Sequence, residues 1–353
     1  MIRRLPAEWE EQDGVLLAWP HEESDWHPVL DLVEPVFIEI ARLISMFEQT
    51  VIVAPDDREV KQKLEQAGAN MSNVRLYRIE TNDTWARDFG PITVLENGSP
   101  GILDFGFNGW GLKFAANLDN LITSRLHRAG AFNGTPLTTV GLILEGGSIE
   151  SDGAGTILTT AECLLSPNRN PHMSRKELEA ALAELLGADR LLWLENGFLA
   201  GDDTDSHVDT LARLAPNDTI VYVTCDDPAD EHYQALKAME AELEGFRTRD
   251  GRPFRLIPLP WPEPKHDGEG ERLPATYANF LVINNAVLVP TYRDKNDNSA
   301  LEAIKEAFPG RSIIGVDSLP LILQHGSLHC VTMQLPKGTL DTSLIFRNYV
   351  RKI

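Results

Sequence analysis

The chain reads as an α/β protein assembled from five like units, and three observations carry that reading. A strand, a polar turn, an amphipathic helix and a second strand recur along the chain. Each copy ends in a loop of unusual polar composition, and no Pro/Gly-rich linker divides the chain in two. Marker residues at the five ends (Asp88, Glu145, His207, Asn279 and Cys330) lie 57, 62, 72 and 51 residues apart. Self-similarity of this kind indicates a solenoid or a closed ring of units. A ring would bring the five ends to one axis, so a single domain over residues 1–353 is expected.

The entry run Gly14–Pro20 is apolar, and Leu30, Val33, Phe37, Ile40 and Ile44 recur behind it at helical spacing. The first unit is then Val51–Pro55, a helix near Arg58–Ala67, and Val74–Ile79, closing in Asn82–Pro91. The second runs from Gly101–Phe105 through a helix near Leu118–Ala129 to a strand near Thr138–Leu144, closing in Glu145–Ser148. The third begins at Thr156–Thr160. Its helix opens on a capping box, Ser174 with Glu177, and stops at Gly187 before Leu191–Leu194 and the loop Asp202–Asp209. The fourth comprises Ile220–Thr224, a helix near Ala229–Glu244 with Leu236, Met239 and Leu243 on one face, Phe254–Leu259, a polar surface loop Trp261–Arg272, and Tyr277–Phe280. The fifth is Ala286–Pro290, a helix near Ser299–Phe308, and Ser312–Val316, leading to Gly326–Pro336, which reads as a strand with Cys330 at its start.

Composition bounds the function. Hydrophobic residues make up 42% and charged residues 24% of the 353, an ordinary globular balance with enough apolar surface for a sizeable core. The opening Met1–Pro6 carries two arginines but no apolar stretch behind them, and no run reaches membrane-spanning length, so a soluble cytoplasmic protein is expected. Three scattered cysteines (Cys163, Cys225, Cys330) form no CxxC pair, which points away from a disulfide framework or a thiolate zinc site. Thirty-two basic against 53 acidic residues give a net charge of −21. That excess argues against a nucleic-acid partner and is compatible with steering a cationic substrate.

Together the unit ends offer a thiol (Cys330), an imidazole (His207) and three carboxylates (Asp88, Glu145, Asp209). A cysteine nucleophile needs a base or cation beside it; His207 is the candidate, with Glu145 to orient it. On a strand, His207 and Asp209 would share a face. Two further carboxylates, Asp88 and Asp209, suit a planar guanidinium that pairs bidentately, and Trp85 would cover its face or stem. Such a substrate would itself favour the thiolate, and no metal or other cofactor is required. Each residue also has a plainer reading: Asp88 and Asp209 as turn residues, Glu145–Gly147 as a simple turn, Trp19 and Trp110 as core. His325 and His329 flank Cys330 and read as structural, while Cys163 and Cys225 read as buried and inert.

In this order, from Leu5–Glu10 and Leu17–Pro20 through Asn82–Pro91, Leu144–Ser148, Thr160–Leu165, Asn168–Pro171 and His207–Asp209 to Leu328–Pro336, the chain resembles the agmatine deiminases and bacterial peptidylarginine deiminases of the guanidino-group-modifying, or pentein, superfamily. The resemblance implies a five-bladed pseudo-fivefold α/β propeller. It implies that Cys330 is the nucleophile, His207 the general acid/base, Glu145 its paired acid, and Asp88 and Asp209 the guanidinium-binding pair. Trp85 matches a substrate-contacting tryptophan, Asn279 falls where peptidylarginine deiminases have an active-site asparagine, and Trp110 is a further candidate for the pocket. A small cationic guanidino substrate, most plausibly agmatine, and a homodimer are the family-level expectations. The alternatives are deimination of peptidyl-arginine and a propeller that binds without catalysis. Asp205-Ser206 replaces the Asn-Gly usual before the histidine of agmatine deiminases, Gln324–Ser327 is poorer in glycine than its counterparts, and Met333 stands where Gln is common.

Overall fold

The computed structural model describes residues 3–340; Met1 and Ile2 of the opening segment lie outside the described residues. The fold is mixed α/β. Its strands form five sheets of three or four strands, with one additional two-stranded ribbon (Lys265–His266 with Arg272–Leu273) inside the loop expected to lack structure.

Every sheet contains a parallel pair joined through a helical crossover, as the repeated pattern predicts. The pairs are Gln49–Ala54 with Val74–Arg78, Ser99–Gly106 with Leu137–Ile143, Thr156–Thr160 with Arg190–Leu194, Thr219–Val223 with Arg255–Leu259, and Ala286–Thr291 with Ser312–Asp317. Parallel pairs need such a crossover because the chain must return to the same end of the sheet. The crossover helices bury the faces their sequences mark. Leu236, Met239 and Leu243 are buried on Tyr233–Gly245, and Arg175–Leu186 has the full Ser174/Glu177 capping box with Gly187 left-handed at its end.

What the periodicity does not reveal is the antiparallel strand of four of the sheets, Ile92–Glu96, Ile149–Ser151, Ala212–Ala215 and Leu281–Ile283; the fifth, Thr332–Pro336, falls within the run Gly326–Pro336 that reads as a strand. The first four, of three to five residues, are too short to display a period. All five decide where the chemistry sits. Asp88, Glu145, His207 with Asp209, Asn279 and Cys330 each lie in the connection just ahead of one of these strands, after the last parallel strand of the preceding sheet. The final one, Thr332–Pro336, pairs with Gln12–Ala18, so the end of the described chain completes the first sheet.

Two local expectations are corrected. Cys330 lies in a turn two residues ahead of its strand, because Asn279 takes the backbone N–H groups of His329 and Cys330 that a ladder would use. His207 and Asp209 do not share a strand face: Val208–Thr210 is a single 3₁₀ turn with His207 at its cap. The two side chains nevertheless converge, with His207 Nδ1 and Asp209 Oδ2 both lying against Gly147.

Candidate active site

The turn segments hold one another through backbone bonds. The one-turn helix Ala86–Phe89 donates its Arg87 N–H to the Cys330 carbonyl (3.1 Å), which fixes Asp88 relative to the thiol. Asn279 Oδ1 accepts from the amides of His329 (2.8 Å) and Cys330 (3.2 Å) and stands 3.3 Å from Cys330 Sγ, while its Nδ2 donates to the Asp209 carbonyl (3.4 Å). Asn279 is thus the clasp between the cysteine turn and the His207–Asp209 turn.

Asp88, His207 and Asp209 meet at Gly147. A methyl group there would sit 2.6 Å from His207 Nδ1, 2.8 Å from Asp88 Oδ1 and 3.2 Å from Asp209 Oδ2. Only glycine lets three functional groups approach so closely. Asp88 accepts from the Gly147 amide (3.0 Å) and from Trp110 Nε1 (2.9 Å), and His207 Nδ1 stands 3.6 Å from its Oδ1. Asp209 gives Oδ2 to His329 Nδ1 (2.7 Å); its buried Oδ1 has no hydrogen-bond partner among the described residues, nor has His207 Nε2. Unsatisfied buried polar atoms are costly, so these two are what a ligand would satisfy.

Glu145 lies close to the imidazole but is not hydrogen-bonded to it. Both of its oxygens accept from Arg169 Nε (2.8 and 2.9 Å), and Arg169 also bonds Asp205 (2.5 Å) and the Thr204 carbonyl (2.9 Å). Arg169 therefore ties the acid to the loop that carries His207. Cys163, read as merely buried, places its sulfur within 4.8 Å of ligand atoms of Glu145 and His207. Glu8, Glu150 and His329 cluster in the same way. Among the described residues these are the sets that could hold a metal, but Arg169 occupies the carboxylate of the first and Arg213 those of the second, so each already contains a cation of the protein.

Electrostatics follow from burial. Burial and then the Asp209 and Asp88 carboxylates push the Cys330 thiol well above the usual range. Burial, reinforced by Asp209, likewise pushes Asp88 up. Burial drives the His207 imidazole down to about 3, against the pull of Asp209, so it is neutral at pH 7 and able to accept a proton. Asp209 is the exception: burial would raise it, but its hydrogen bond to His329 and the nearby Arg213 guanidinium outweigh burial and hold it below the usual carboxylate range.

Cys330 opens into a cavity of about 170 Å³ lined by Trp85, Asp88, Trp110, Phe114 and Gly326. A methyl group at Gly326 would collide with the Trp85 ring at 2.2 Å, so this glycine lets the indole close over the cavity. Asp25, Asp83, Asp202, Asp203, Thr204, Thr210, Gln324 and His325 complete the lining, with no Lys or Arg among the described lining residues. Burial raises Asp83 to about 7 and Asp202 to about 6, the signature of carboxylates short of cations.

Residues 4–336 match the family described as the Porphyromonas-type peptidyl-arginine deiminases. A crystal structure from Porphyromonas gingivalis, provisionally described as an arginine deiminase, is 51% identical over 96% of this chain and 99% of its own, with a TM-score of 0.91. The C. jejuni agmatine deiminase with substrate bound is 42% identical over 95% of this chain and 97% of its own, with a TM-score of 0.88. The agmatine deiminase of Pseudomonas syringae pv. tomato is 32% identical over 94% of this chain and 95% of its own. With the site geometry, these matches show that the chain belongs to the Porphyromonas-type peptidyl-arginine deiminase family, a family of C–N hydrolases.

Proposed function

We propose that this protein hydrolyses agmatine to N-carbamoylputrescine and ammonia, using a single five-bladed α/β propeller whose axis carries the site. The observation that carries the substrate is charge at both ends of one cavity: Asp88 in the lining beside Cys330, with Asp209 behind it and near enough to act on the thiol, and Asp25, Asp83, Asp202 and Asp203 farther out. Agmatine is cationic at both ends. Free arginine would present a carboxylate to the outer aspartates, and a peptidyl-arginine would present a neutral backbone to them. The similarity to agmatine deiminases supports the same choice.

The guanidinium lies between Asp88 and Asp209, giving the free Asp209 Oδ1 its missing donor. Its positive charge reverses the field that pushes the Cys330 thiol up, so the thiolate forms with substrate present. Sulfur attacks the guanidinium carbon. The thiol proton passes through neutral His207 to the departing nitrogen, which leaves as ammonia, and an amidino-thioether remains. His207 then takes a proton from water, which attacks the same carbon. The C–S bond breaks, the proton held by His207 returns to sulfur, and the remaining hydroxyl proton passes to solvent, where ammonia takes it up as ammonium, as the neutral ureido product forms and leaves.

Two expected results follow. The cationic reagent 2-chloroacetamidine alkylates Cys330 at pH 7 at least about a hundredfold faster than neutral iodoacetamide does, and faster than it alkylates Cys163 or Cys225. Because the empty-site thiol is pushed up, labelling by the neutral reagent accelerates only as pH climbs beyond the ordinary thiol range. Peptide mapping checks both; equal, slow labelling of all three cysteines would remove the nucleophile from the scheme. Asp203→Asn raises KM for agmatine about tenfold and leaves that of a monocationic alkylguanidine unchanged, as one lost ion pair in a partly buried pocket dictates. Steady-state kinetics on the two substrates decide, and a common shift would place Asp203 outside the ammonium site.

A further inference from the structure

The mechanism uses Asp209 but leaves unexplained a group of buried charges behind it. Glu8 from the entry segment, Glu150, Arg213 and His329 are each less than nine per cent exposed and contact one another. Arg213 Nη2 donates to Glu8 Oε2 (2.8 Å), and its Nε donates to Glu150. His329 stands at the junction. Its Nε2 lies 2.7 Å from Glu8 Oε2 and its Nδ1 lies 2.7 Å from Asp209 Oδ2.

We propose that His329 is a positioning residue for the deimination: anchored at Nε2 by Glu8, it captures one oxygen of Asp209 through Nδ1 and so presents the other to the substrate guanidinium. This inference rests on the guanidinium reading of the site, but not on agmatine being the substrate.

Three features argue for it. The ring is held on both edges: Nδ1 lies against Asp209 Oδ2 (2.7 Å), and Nε2 is wedged between Glu8 Oε2 (2.7 Å) and Arg213 Nη2 (3.0 Å). Asp209 is split, with Oδ2 taken by His329 and Oδ1 buried without a partner, which is the arrangement a bidentate or side-on cation completes. The backbone that carries the imidazole is fixed, because Asn279 holds the His329 amide at 2.8 Å and Arg87 Nε reaches the His329 carbonyl at 3.4 Å. Without that hold Asp209 could turn both oxygens to His207 or the protein, and the cation site would lose half its charge.

Two substitutions separate the two nitrogens. His329→Asn keeps a donor at the Nδ1 position, toward Asp209; His329→Gln keeps one at the Nε2 position, toward Glu8. The readout is the ratio of Cys330 alkylation rates by 2-chloroacetamidine and iodoacetamide, with melting temperature recorded for each variant. Positioning predicts that His329→Asn retains most of the wild-type ratio. His329→Gln loses about tenfold to a hundredfold of it, the span of one hydrogen bond to a charged group, with the iodoacetamide rate little changed. A packing role predicts the reverse order, since Gln fills more of the imidazole volume. Equal ratios in the two variants, or Gln above Asn, overturn the proposal. Should neither variant fold, Glu8→Gln carries the test: a ratio lowered at least about threefold supports the anchoring and an unchanged ratio overturns it. A wild-type protein that ignores agmatine yet shows the ratio, and its loss in His329→Gln, would defeat the agmatine reading and support this one.

Discussion

Cys330→Ala abolishes turnover, lowering kcat by at least about 10⁴-fold, with little change in the binding of substrate. The size follows from the absence of a substitute. Cys163 also has its sulfur near His207 and Glu145, but burial and then the Glu145 carboxylate push its pKa well up, and Arg169 is too committed to Glu145 and Asp205 to offset that. The cavity lining includes Cys330 and not Cys163. Binding survives because Asp88, Asp209 and the outer aspartates remain. Single-turnover assay and calorimetry on the same preparation check the two halves. Residual turnover within tenfold of wild type would mean that water attacks the guanidinium directly and that the thioether intermediate is wrong.

Gly147→Ala lowers kcat about 10²- to 10³-fold while the protein stays folded. The added methyl would lie 2.6 Å from His207 Nδ1 and 2.8 Å from Asp88 Oδ1, so imidazole and carboxylate must separate. A displacement near 1 Å of groups that act in one transition state costs about two orders of magnitude. Overpacking at a buried position costs only about 1–3 kcal/mol of stability. Kinetics beside a thermal melt test this, and wild-type kcat with a normal melt would show that the convergence at Gly147 is not used in the reaction.

The fold was legible where the chain is periodic and illegible where it is short. Leu236, Met239 and Leu243 announce their helix, and Ser174, Glu177 and Gly187 bound another. Four of the five antiparallel strands are too short to show a period, yet each of the five follows directly on a marker residue. Spacing and residue chemistry brought Asp88, Glu145, His207, Asp209 and Cys330 into one set, and the structure gathers them near Gly147 and the cavity. What spacing could not supply was partnership. Glu8 and Arg169 stand inside the very segments that carry the family resemblance, Leu5–Glu10 and Asn168–Pro171, but nothing local says that a residue so far off will be the counter-ion. Glu145 was assigned to His207 and is instead bonded to Arg169 for the same reason.

The departures from the family pattern also acquire a physical meaning. Asp205 (φ 64°) and Ser206 (φ 61°) both adopt the left-handed region, where an Asn-Gly pair would sit with less strain. Arg169 and Lys113 hold Asp205, and Glu162 accepts from Ser206 Oγ (2.9 Å), so side-chain bonds replace the missing backbone freedom. His325 (φ 66°) adopts the same left-handed region just ahead of Gly326.

The measurement that bears most directly on the central claim is ammonia and ureido-product release from purified protein given agmatine, free arginine or a blocked arginine peptide, with Cys330→Ala alongside. The account predicts turnover of agmatine well above the other two and none in the variant. Turnover of arginine or of the peptide in preference to agmatine would contradict the role given to the outer aspartates, and agmatine turnover undiminished in Cys330→Ala would contradict the chemistry itself.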